Sequence, residues 1–195
     1  MRILCRIAQV FVLLAVASSF AQADGEFVYF KKKAAAGGGG TETIGYETAG
    51  SSNTQTTEGV LVCSAMDAPA NSGNITSIFI YSSNTNAALK IKVGVYADDA
   101  GSIGNKVGSE VEFTPGTYSA EWHEYSGLSI PVTASTNYWL CRVVDSSTAM
   151  TFYYNSDAAN SRWQIDQAYA SAWPSSMTGE AGSTAKFSLK ATVTY

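Results

Sequence analysis

From residue 89 the chain alternates strictly: Leu89, Ile91, Val93 and Val95 interleave with Lys90, Lys92, Gly94 and Tyr96. A period of two puts one set on each side of an extended chain, which predicts a strand with one buried and one wet face. Asp98, Asp99, Gly101 and Gly104 follow, residue types that bond their own backbone or accept positive φ, so the chain turns back there. Residues 107–113 return as the partner strand. Such a hairpin cannot hide its apolar face alone, and a second sheet must cover it.

The same punctuation runs from Ile44 onward, short apolar or alternating runs divided by turn-forming clusters. The pattern predicts strands near 44–48, 59–66, 75–82, 89–96, 107–113, 120–125, 128–132, 138–144, 150–154 and 185–195. The last is the clearest, with Phe187, Leu189, Ala191, Val193 and Tyr195 alternating with Ser188, Lys190, Thr192 and Thr194. Many short strands without helices predict an all-β, two-layer antiparallel β-sandwich of jelly-roll type over 44–195. No repeat of solenoid or propeller length interrupts it.

Ahead of that domain, residues 1–23 combine Arg2 and Arg6, an apolar run from Val10 to Ala17, and Ala21-Gln22-Ala23. This is the form of a secretory signal peptide, with an uncleaved membrane anchor as the alternative. Residues 24–43 carry an aromatic-basic piece ending in Lys31 to Lys33 and then Gly37 to Gly40. Consecutive glycines predict a flexible arm, with the aromatic-basic piece available to contact a neighbouring copy in a homo-oligomer.

Composition narrows the classes. Only 14% of residues are charged, against abundant Ser, Thr, Gly and aromatics, which suits an exported β-protein and not a Lys/Glu-rich helical one. The net charge is −4. Losing Arg2 and Arg6 leaves 10 Lys and Arg against 16 Asp and Glu, or −6 for the mature chain, which disfavours nucleic acid as a partner. No segment after the leader approaches the roughly 18 apolar residues of a membrane span.

The segments KIKVGVYADDAGSIGNKVG, LSIPVTASTNYWLCRV, MTFYYN and FSLKATVTY resemble a recurrent type of secreted bacterial and phage-associated β-sandwich module. The resemblance spans most of 44–195 and contains no catalytic signature. It implies an accessory, surface-attached or carbohydrate-binding-like domain, a binding part and not an enzyme.

Cys63 and Cys141 each lie in an apolar candidate strand. An even count in an exported chain predicts a disulfide, with two separate buried thiols as the alternative. His123 is the one histidine, so any His-dependent triad or multi-histidine metal site would have to be built around it, and no zinc spacing or nucleophile elbow accompanies it. Glu110, Glu112, Glu121, Glu124 and Asp166 could supply the two carboxylates of a glycosidase. On exposed strands such acids are mostly solubilising.

Asp98 and Asp99 are the candidate calcium ligands, since carboxylates and turn carbonyls form the oxygen shell that ion takes, although adjacent aspartates more often shape a turn. No other cofactor is expected. The stretch from Phe152 to Trp173 holds Trp163, Tyr169 and Trp173 among Asn160, Asp166 and other polar residues. Aromatic faces stack on sugar C–H faces while amides and carboxylates bond hydroxyls, so this loop is the candidate ligand site. The competing reading makes these rings a secondary core, as expected for Trp139. The sequence therefore predicts an exported, non-enzymatic module recognising a glycan or cell-surface polymer, with a structural or adhesive subunit of a phage or cell-surface assembly as the alternative.

Overall fold

A computed structural model describes residues 39–55, 57–157, 161–177 and 184–195. The leader and most of the arm lie outside them. The strands are β1 (Thr41–Gly45), β2 (Ser52–Gln55), β3 (Val60–Met66), β4 (Gly73–Asn84), β5 (Ile91–Asp99) and β6 (Ser102–Phe113), followed by β7 (Tyr118–Val132), β8 (Tyr138–Val144), β9 (Met150–Ser156), β10 (Arg162–Asp166), β11 (Ala185–Phe187) and β12 (Leu189–Thr194). Two antiparallel sheets face each other. One runs β1-β12-β4-β9-β11, with β7 paired to β4 and β2 to β9; the other runs β10-β3-β8-β5-β6.

The core between the sheets collects the apolar half of each alternating strand. Ile78 and Ile80 of β4, Ile91, Val93 and Val95 of β5, Leu140 and Val144 of β8, and Ala191 and Val193 of β12 are all essentially dry. Most expected strands are present within a few residues, and three differ in an instructive way. Residues 120–125 and 128–132 form one strand, because a register shift opposite Ile75 and Ser77 lets Tyr125 and Leu128 both face inward. Residues 185–195 form two, because buried Ser188 breaks the ladder where the chain passes from β9 to β4. Its hydroxyl donates to Thr48 O at 2.8 Å and accepts from Gly50 N–H at 2.8 Å.

The third difference is at the expected arm. β1 begins at Thr41, and Gly40 exchanges two backbone hydrogen bonds with Tyr195, at 2.7 and 2.9 Å. The end of the glycine run is therefore sheet and not tether.

The 89–104 hairpin forms as β5 and β6, paired down to Asp99 and Ser102. Ala100 (φ 52°) and Gly101 (φ 87°) make the turn. Two left-handed residues in succession give a two-residue turn whose twist matches the strands. Cys63 and Cys141, directly opposite each other on β3 and β8, are bridged and buried. Among the described residues no helix is long and apolar enough to cross a membrane.

Candidate binding surfaces

The expected loop between Asn155 and Pro174 contains a strand. β10 extends the five-stranded sheet by pairing with β3, with Trp163 opposite Cys63. The following residues, 167–177, then cross the outer face of that sheet as a strap. Beneath it lies a second core of Leu61, Tyr96, Trp139, Cys141, Val143, Trp173 and Met177. The side of β5 expected to be wet is therefore covered, and Gly94 and Tyr96 are buried.

Trp173 corrects the loop expectation most directly. It is 3% exposed, its ring stacked on Tyr96 at 6.2 Å and 14°. Polar bonds fasten the strap around it. Trp173 N–H donates to Glu110 Oε1 at 3.1 Å, Lys106 N–H to Ser175 O at 2.8 Å, and the Tyr96 hydroxyl to Pro174 O at 2.8 Å. Lys106 Nζ reaches Glu110 Oε2 at 2.7 Å. Burial works against ionisation of Glu110, but hydrogen bonds from Lys106 and the Trp173 backbone outweigh it and hold its carboxyl below the ordinary range.

Tyr169 is likewise a fastening. Its hydroxyl donates to Glu112 Oε2 at 2.9 Å, its carbonyl accepts from Lys92 Nζ at 2.7 Å, and the same ammonium lies 4.7 Å above its ring. Burial, then the Glu112 carboxylate, raises its phenol pKa. Trp163 is half-buried, edge-on to Trp139 at 6.3 Å. Asp166 is exposed at the end of β10, and Asn160 lies outside the described residues. The three rings do share one sheet face. Trp173 serves there as core, whereas Trp163 keeps an open side.

That open side borders a groove of about 720 Å³ at the hairpin end of the sheet, shared with Asp98, Asp99, Asn105 and Ser176. Asp98 spends both carboxylate oxygens on structure, Oδ1 accepting from Trp139 Nε1–H at 2.9 Å and Oδ2 from Gly101 N–H at 2.9 Å. It is a turn-former in the Asx manner. Asp99 is exposed beside it. No group of three or more His, Cys, Asp or Glu able to hold a metal ion occurs among the described residues.

The remaining acids are spread out. Glu112 pairs with Lys90 at 3.0 Å, and Glu124 accepts from the Ser77 hydroxyl at 2.6 Å. His123 stacks on Tyr118 at 4.2 Å, its imidazole 3.8 Å from Glu121.

The outer face of the seven-stranded sheet carries a feature that the sequence reading missed. Tyr81 on β4 lies opposite Trp122 on β7, with ring centroids 5.6 Å apart, and 5.1 Å from Tyr153 on β9. Lys190 of β12 sits 4.8 Å over Trp122 and 5.6 Å over Phe79. All four rings are half-buried, Tyr81 lying between Trp122 and Tyr153, and Lys190 joining Trp122 to Phe79. Glu124 and Asn155 are on the same side, Asn155 donating to the Tyr46 hydroxyl at 2.9 Å. One signal for this row was available: Phe79 and Tyr81 stand at the positions that alternate with Ile78 and Ile80, where a solvent-facing strand side is normally polar.

No family model matches the chain, and no curated protein matches it. Its class rests on architecture: an all-β protein of two antiparallel sheets, with a cross-strand disulfide.

Proposed function

We propose that this protein is an exported, non-enzymatic binding module that lays a glycan or cell-surface polymer along the outer face of its seven-stranded sheet. The observation that carries the reading is the row Tyr153, Tyr81, Trp122 and Phe79 on a face exposed to solvent. Half-buried rings there offer apolar area to sugar C–H faces, while Lys190, Glu124 and Asn155 offer hydroxyl partners around them. The groove at Trp163 is a second surface that offers an aromatic ring beside polar groups. A buried disulfide agrees with an oxidising, extracellular setting. The jelly-roll reading is supported by eight strands pairing as β1-β12-β4-β7 and β3-β8-β5-β6, the interlocked order of two Greek keys.

A glycan microarray followed by affinity electrophoresis of Trp122→Ala and Tyr81→Ala tests this. Retention of wild type on at least one polysaccharide, lost in both variants while the melting temperature stays close to wild type, is the expected result. If wild type binds no glycan and Trp122→Ala instead turns a sedimenting oligomer into a monomer, the face is an assembly surface. The structural-subunit reading then replaces this one.

A further inference from the structure

We propose that a pocket between the two sheets, holding Arg142 and Arg162, is a binding site for a small oxyanion. The ligand class is a carboxylate, sulfate or phosphate group, alone or on a small organic body. Arg142 occupies the inward position between Leu140 and Val144 of β8, where the alternation would place an aliphatic residue, and it is 3% exposed. Its Nε and Nη1 atoms are buried and have no hydrogen-bond partner among the described residues. Arg162, on β10, leaves its buried Nε equally unpartnered, and its Nη2 donates to Gln164. Both guanidinium groups line one cavity of about 220 Å³, with Thr54 and Gln164 among the polar groups around it.

A guanidinium keeps its proton tenaciously, so two of them in one cavity bring positive charge into a low-dielectric space. Phe152 and Phe187 offset part of that cost. The Arg142 carbon lies 3.7 Å over the first ring and 4.2 Å over the second, and Arg162 lies 5.5 Å over Phe187. Ring faces satisfy the faces of the cation and leave its N–H edges unserved. No carboxylate forms an ion pair with either arginine among the described residues. Burial, followed by repulsion from Arg162, lowers the Arg142 pKa to about 9. An oxyanion supplies what is missing, two acceptor oxygens for a fork of N–H donors and a negative charge between two positive ones.

This site lies apart from the aromatic face, and its test is independent of the glycan reading. The full-length protein is titrated by calorimetry and thermal melting with sulfate, inorganic phosphate and glucuronate, against chloride at matched ionic strength. Saturable binding of at least one probe, one per chain, accompanied by a rise in melting temperature, is expected. Arg162→Gln, a half-exposed position whose replacement leaves the core packed, should weaken that binding by about tenfold or more. Trp122→Ala should leave it unchanged. The preferred probe separates a phosphate or sulfate source from a carboxylate one. No saturable response above chloride, or equal binding by wild type and Arg162→Gln, overturns the proposal. So does an Arg142→Met variant that folds, melts higher and still binds the probe as wild type does.

Discussion

A Cβ atom on Gly94 would come within 2.7 Å of Trp173 Cζ3, so the indole rests on bare backbone. No other residue at position 94 leaves room for the ring in its observed place. The strap therefore depends on an absent side chain on β5 as much as on a large one at 173, and Tyr96 completes the slot by stacking alongside.

Trp173→Ala should destabilise the protein by about 3 to 5 kcal/mol, as truncation of a buried large aromatic does, comparable with Trp139→Ala and more than half-buried Trp163→Ala. Gly94→Ala should also destabilise it by displacing the indole. Urea melts of the double variant check the coupling. Gly94→Ala should cost much less once Trp173 is already alanine, and strict additivity would mean the two do not touch.

The strap should loosen in acid. The folded-state pKa of Glu110 lies below its ordinary value, so it contributes stability that is present above the ordinary glutamate range and is lost as pH falls through the folded value. The stability difference between wild type and Glu110→Gln should therefore shrink from neutral pH toward pH 3. Tryptophan emission should report the opening, with the wild-type spectrum approaching that of Glu110→Gln at low pH.

The disulfide closes a sequence separation of 78 residues. Confining that loop in the unfolded chain is worth on the order of 4 kcal/mol in the chain-entropy model. Replacing both Cys63 and Cys141 by alanine should lower the urea midpoint accordingly. Intact mass of wild type should rise by two hydrogen atoms on reduction, and an unchanged mass would show free thiols.

Ala100 adopts a left-handed conformation in the β5–β6 turn that costs an alanine about 1 to 2 kcal/mol. Asparagine tolerates it and, before Gly101, completes the favoured turn pair. Ala100→Asn should then raise stability by about 0.5 to 1 kcal/mol in a chemical melt. A loss would mean that the exposed turn is held by something other than its own backbone preference.

Period-two alternation determined the inward faces of β5 and β12, and apolar runs between turn clusters placed β4 and β8, because the side a residue occupies follows from local geometry alone. Turn chemistry placed the β5–β6 hairpin by the same local logic. What covers the other face is a long-range matter. The pattern of Lys92, Gly94 and Tyr96 is the same whether water or residues 167–177 lie above it, so only the tertiary structure could turn Trp173 from expected platform into core. The pairing of Cys63 with Cys141 needed the register of β3 against β8, and the aromatic row needed β4, β7 and β9 side by side. Arg142 stands as a charged residue inside the apolar run of β8, which the sequence reading did not single out; that it meets Arg162 and two phenylalanine rings without a counter-charge among the described residues depends on how the two sheets pack.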